Sequence, residues 1–187
     1  MKTMKIYLWS LFLLIALFWN SFDGNSQEVK LSRQERKEVR KAQLLANFNI
    51  LDSLLNAKSF VLEADYLQDR YGYRVPVVSN LNFIKVNVTR GILQTGSDFR
   101  TGYNGVGGVT AEGSMGKWQV MKNFKNLSYT IRFNLMTQIG QFDIFLTVNA
   151  DNNASATISG LGPGKLTWVG HLETVDNSRV FKGQDTI

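Results

Sequence analysis

Glu63 and Asp65 stand two residues apart in an alternating run, a spacing that sends both carboxylates to one side of a strand. Paired carboxylates supply acid and base in glycoside hydrolysis, and they also bind calcium. The opposite side carries Phe60, Leu62 and Tyr66, so theirs is the solvent side, and exposed charge is the expected role. His171 is the single histidine, and cysteine is absent. A nucleophilic triad or a histidine-based metal site needs partners that such a chain does not supply, so His171 reads as a structural or surface residue.

A glycine run is the second candidate: Gly102, Tyr103, Asn104, Gly105, Val106, Gly107 and Gly108. It fails the dinucleotide fingerprint, because the third glycine would fall at Thr110 and no helix follows. The Lys-Ser/Thr pair of a P-loop is missing as well. The run reads as a loop between strands, with a lid over a barrel mouth as its functional alternative. Asp151-Asn152-Asn153 lacks the further ligands and closing Glu of a calcium loop and reads as a turn. No catalytic, metal-binding or cofactor-binding residue emerges. The expectation is a protein that is not an enzyme and takes no cofactor.

The elements that carry these residues are mostly strands. Tyr129, Ile131, Phe133 and Leu135 alternate with Thr130, Arg132, Asn134 and Met136. After Thr137 to Gln141, Phe142, Ile144, Leu146 and Val148 alternate with Asp143, Phe145 and Thr147. Two period-two runs with a short Gly-containing link predict an antiparallel hairpin with one apolar face. Further strands are predicted at 59–67, 73–78, 83–88, 92–95, 109–115, 117–123, 154–159 and 165–173, with a short final segment at 178–182. Pro76 marks its strand as an edge or a bulge. Short, evenly spaced strands indicate a sandwich or a closed barrel, and closure is favoured because it removes exposed edges. The many aromatic residues would fill such a barrel or line an apolar pocket within it.

One helix precedes the strands. Ser32-Arg33-Gln34-Glu35 fits a capping box, and Leu44, Phe48, Leu51 and Leu55 form one stripe. The spacing predicts a helix over 33–57 with a solvated first half and a second half docked on the sheet. Its basic residues Arg33, Arg36, Lys37, Arg40 and Lys41 are a candidate contact for an anionic envelope surface. Glu35 and Glu38 dilute that charge, which makes a solvated helix end the simpler reading.

Met1 to Ser26 has the form of a cleaved secretory signal, with Lys2 and Lys5 followed by the 14-residue apolar run Ile6–Trp19. That run is short for a membrane span, which needs about 20 residues. Gly24-Asn25-Ser26 places cleavage before Gln27, and the lack of cysteine rules out a lipoprotein anchor. The expected organisation is a signal peptide at 1–26, a basic helix at 27–57 and a β domain at 58–187, in the periplasm or secreted. The formal charge is +6, and the excess gathers at the helix. No nucleic-acid motif is present, and the mature chain is not expected to span a membrane. No motif encodes an oligomeric state.

Several segments resemble the bacterial domain of unknown function 4251 family. They are Glu63-Ala64-Asp65-Tyr66, Ser79-Asn80-Leu81-Asn82-Phe83, the run from Gly102 into Val109-Thr110-Ala111-Glu112-Gly113, Phe142 to Val148, and Ser178-Arg179-Val180-Phe181-Lys182-Gly183-Gln184. The resemblance implies a signal-bearing envelope protein with a lipocalin-like barrel, and it supplies no catalytic residues. Gly116-Lys117-Trp118 matches the Gly-x-Trp that opens many lipocalins, but here it lies mid-chain and is taken as chance. Two functional expectations follow. One is a barrel that holds a small apolar ligand or lipid. The other is an interaction module that docks an envelope protein or polymer through the basic helix or an outward face such as Asp143, Phe145 and Thr147.

Overall fold

The structure is a computed structural model that describes residues 32–97, 104–160 and 165–186. The expected signal segment, Gly102 and Tyr103 lie outside the described residues. Residues 1–37 and 38–187 are two compact units. In the first, the described residues open helix α1 (Arg33–Ala57). The capping box forms as predicted: Ser32 Oγ accepts the Glu35 amide at 3.3 Å, and Glu35 Oε2 accepts the Ser32 amide at 2.7 Å.

In the second unit the rest of α1 precedes β1 (Ser59–Gln68), β2 (Arg74–Pro76), β3 (Phe83–Asn87), β4 (Arg90–Gln94) and β5 (Thr110–Asn123). The hairpin of β6 (Ser128–Thr137) and β7 (Gly140–Asn149) follows, and β8 (Ala154–Ser159) and β9 (Lys165–Glu173) complete the sheet. All pairings are antiparallel between sequential neighbours, apart from β1, which pairs with β2, β3 and β9. The β1–β9 pairing closes β1 and β3–β9 into an eight-stranded barrel, with β2 as an extra strand beside β1. Pro76 lies in β2, where a missing ladder donor is tolerated.

Alternation sends Phe60, Leu62, Ile84, Val86, Leu93, Ile131, Phe133, Leu146, Ile158, Trp168 and Leu172 inward, each at most 4% exposed. The small Ala156 sits opposite Trp168 and leaves room for the indole. Side chains of the barrel itself fill this volume, as in other small barrels. One barrel end is covered by α1, whose Phe48, Leu51 and Leu55 are buried. There Phe48 and Tyr129 stack with ring centroids 4.7 Å apart. Asp52 accepts hydrogen bonds from Lys122 Nζ at 2.9 Å and from Tyr129 Oη at 2.8 Å. These donors hold the Asp52 carboxyl below its ordinary range, Lys122 first and Tyr129 second. The basic first half of the helix is exposed and its apolar second half docks, as the stripe predicts.

Two local features differ from the sequence reading. The segments 109–115 and 117–123 are one strand, β5, because the break at Gly116 is a bulge and not a turn. The tail at 178–186 adds no strand, but it straps across the sheet.

Candidate functional site

The bulge in β5 shapes one side of the barrel. Gly116 pairs with Asn134 and Gln119 with Arg132, so Lys117 and Trp118 together oppose Phe133. The extra residue bends the strand. Lys117 adopts the left-handed region at φ 50°, uncommon for a residue with a side chain. Trp118 turns toward the core, with its ring 5.2 Å from Phe133 and 6.3 Å from Phe60. Lys117 is left on the outer side, exposed.

Cross-strand register then sets two rows of outward side chains over five neighbouring strands. The first runs Gln119, Arg132, Phe145, Thr157 and Thr167. The second runs Gly116, Asn134, Asp143, Ser159 and Lys165. Between them lies an open cleft of about 520 Å³, lined by members of both rows and by Lys117. The Arg132 guanidinium lies over the Phe145 ring, 5.1 Å from its centroid, which holds the fork in place. The hydroxyls of Thr157 and Thr167 are 3.1 Å apart, and Asp143 accepts a hydrogen bond from Gln141 Nε2 at 3.2 Å.

Two features separate this cleft from an ordinary polar sheet face. Lys117, Arg132 and Lys165 all line it, and among the described residues none of the three enters an ion pair. Asp143 is the lone carboxylate in the lining, so the cleft carries excess positive charge. Asn134 is only 5% exposed, yet its Oδ1 is buried without a hydrogen-bond partner. That oxygen lies over Gly116, where an added Cβ would come within 2.8 Å of it. An orphaned acceptor of this kind costs about 1–3 kcal/mol.

The glycine run occupies a different place. Asn104 is fully buried, and its amide is fully engaged. Its Nδ2 donates to Thr95 O and Thr110 Oγ1, and its Oδ1 accepts from the amides of Val106 and Gly108. The tail closes over this hub. The amide of Gln184 donates to Asn104 O, that of Gly183 to Gln94 Oε1, and that of Thr186 to Thr110 O. Gly105 and Gly107 take positive φ values of 73° and 77°, which fits a tight turn. Gly108 sits where a Cβ would meet Thr95 O at 2.2 Å. The tail is also pinned by charge, since Lys182 Nζ and Arg90 both donate to Glu112.

A pH dependence follows from that pin. Lys182 first and Arg90 second hold the Glu112 carboxyl below its ordinary 4.5. A lowered folded value means that the pair stabilises the fold above about pH 4.5 and loses this contribution as pH falls through the folded value. Thermal melts of the Glu112→Gln variant should therefore lie below those of the parent chain at pH 7, with the gap closing under acid. A gap that stays constant from pH 7 to pH 3 would contradict the pin.

The other sequence candidates are dispersed. Glu63 Oε1 accepts a hydrogen bond from Ser178 Oγ at 2.6 Å, and Asp65 lies 3.5 Å from His171 Nδ1. Among the described residues no group of three or more His, Asp and Glu side chains could hold a metal ion. Arg40 and Lys41 are exposed on α1 and do not line the cleft, while Arg33, Arg36 and Lys37 are exposed in the other unit. Of the outward face read from the hairpin, Asp143 and Phe145 line the cleft, while Thr147 bonds Ser155 O at 3.4 Å. Lys117, Gln119, Asn134, Ser159 and Lys165 carry no motif, and only strand register brings them together.

Among the described residues no helix is long and apolar enough to cross a membrane. No curated protein matches the chain. A solved structure does: the crystal structure of a DUF4251 family protein from Bacteroides eggerthii DSM 20697, at 32% identity and a TM-score of 0.61. The match covers 73% of this chain and 93% of that one. The family described as Domain of unknown function (DUF4251) matches residues 42–172, which takes in most of the helix, β1 to β8 and all of β9 but Glu173. This chain belongs to the DUF4251 family.

Proposed function

We infer that the protein is a non-catalytic binding module of the bacterial envelope that holds a polar, anionic ligand in the cleft outside β5–β9. One observation carries this reading: Lys117, Arg132 and Lys165, without ion-pair partners among the described residues, line one cleft in which Asp143 is the lone carboxylate. Cations without carboxylate partners in a concave site favour an anion, and hydrogen bonds between charged groups are the stronger ones. Envelope location is supported by the signal-like Met1 to Ser26. A polar ligand is supported over an apolar one inside the barrel, because the inward side chains occupy that volume. Binding without catalysis is supported by the lone carboxylate of the cleft, since hydrolysis of a glycosidic bond uses two.

Citrate is a suitable first probe. In a ¹H–¹⁵N NMR titration of the mature chain at millimolar citrate, the amides of Lys117, Arg132, Asn134 and Phe145 should shift together and saturate. Shifts confined to Arg40 and Lys41 on α1 would move the site to the basic helix and overturn the cleft.

A further inference from the structure

We propose that the ligand of this cleft is an acidic saccharide, a chain of pyranose rings that carry carboxylates. The proposal rests on the reading that the cleft binds, and it adds the class of molecule bound. Three features of the lining select it.

The first is a floor of paired backbone. Across the middle of the cleft β6, β7 and β8 are each paired on both sides. An extended peptide gains much of its affinity by adding a strand to an open edge, and here only the flanks, residues 116–123 of β5 and 165–166 of β9, stand outside a second ladder. Over the floor, recognition falls to side chains.

The second is the mixture of charges. Lys117, Arg132 and Lys165 call for anionic groups, and the planar Arg132 fork suits a carboxylate. Asp143 stands among them, one strand from Arg132, and repels an anion that offers nothing else. Asp143 is an acceptor in the lining and takes hydrogen-bond donors from the ligand. A molecule with carboxylates and hydroxyl donors interleaved over a few ångströms satisfies both demands. A uronate chain has this chemistry. A plain polycarboxylate lacks the donors, and a neutral sugar lacks the charge.

The third is the surface between the rows. Phe145 remains 38% exposed at the centre of the first row, flanked by Arg132 and the Thr157 hydroxyl. A partly exposed ring beside polar groups suits the C–H face of a pyranose, whose edge hydroxyls then reach the neighbouring amides and hydroxyls. Gly116 extends the floor, because its missing Cβ is what leaves room for the Asn134 amide.

The test compares three tetrameric to pentameric probes by calorimetry on the mature chain, with NMR shifts to report location. Tetragalacturonate is expected to bind in the cleft at least tenfold tighter than maltotetraose or penta-glutamate. An Asp143→Ala variant then separates sugar from charge. For an acidic saccharide, loss of the acceptor weakens tetragalacturonate severalfold and at the same time strengthens penta-glutamate by relieving repulsion. If penta-glutamate binds in the cleft as well as tetragalacturonate, or if Asp143→Ala strengthens both, the site selects charge alone. The saccharide assignment then fails while the anion-binding reading survives. If no probe, citrate included, shifts the cleft amides, both fail.

Discussion

The Gly170→Ala variant is expected to lose about 3 kcal/mol or more of stability. Gly170 lies on β9 at the seam that closes the barrel, opposite Ala64 of β1 and Ala154 of β8. A Cβ there would sit 1.8 Å from Glu63 O and 2.9 Å from Ala64 Cα, both backbone atoms of β1. The seam also carries the register shift between Ala64 and Tyr66, so β1 is already displaced at this point. Backbone held in two ladders cannot yield by more than an ångström without breaking hydrogen bonds on one side. At about 2–4 °C per kcal/mol for a chain of this size, the melting temperature should fall by about 6 °C or more. Gly72 is the matched control. Its φ is 89°, but nothing lies within 4 Å of an added Cβ, so alanine there meets only backbone strain of about 1 kcal/mol. Equal melting temperatures for the two variants would show that the seam is looser than its geometry indicates.

The second large effect is on binding. Arg132→Glu removes the fork at the centre of the cleft and places a second carboxylate beside Asp143. Affinity for tetragalacturonate should fall at least tenfold, because removing one partner of a charge-assisted pair costs about 2 kcal/mol or more. Lys117→Glu should act in the same direction, and rising salt should weaken the parent protein's binding. Arg40→Glu, on the exposed half of α1, leaves the cleft intact and should change affinity less than twofold. A larger loss in Arg40→Glu than in Arg132→Glu would place the anion on the helix.

Much of this architecture is legible in the residues. The capping box at Ser32 and the stripe from Leu44 to Leu55 mark the helix, since both depend on local spacing alone. The hairpin of β6 and β7 follows from strict alternation, and its faces are as the pattern divides them. The continuity of β5 was hidden, because Gly116 followed by Lys117 looks like a turn, and only pairing with β6 shows that a bulge absorbs the extra residue. The tail reads as a short strand by its Val180 and Phe181, yet Phe181 is 60% exposed and the segment is held by Gln94, Asn104 and Thr110 far away in sequence. The cleft was half visible: Asp143 and Phe145 alternate outward within one strand, but their partners stand on four other strands. A single sequence records the period of each strand and not the register between strands, so a site made by register leaves no motif.

A crystal of the mature chain soaked in tetragalacturonate would show where the sugar binds. A sugar carboxylate should lie within hydrogen-bond distance of the Arg132 guanidinium, with a hydroxyl directed at Asp143. Sugar density elsewhere, along the exposed half of α1 or inside the barrel, with the β5–β9 face bare, would contradict binding in the cleft.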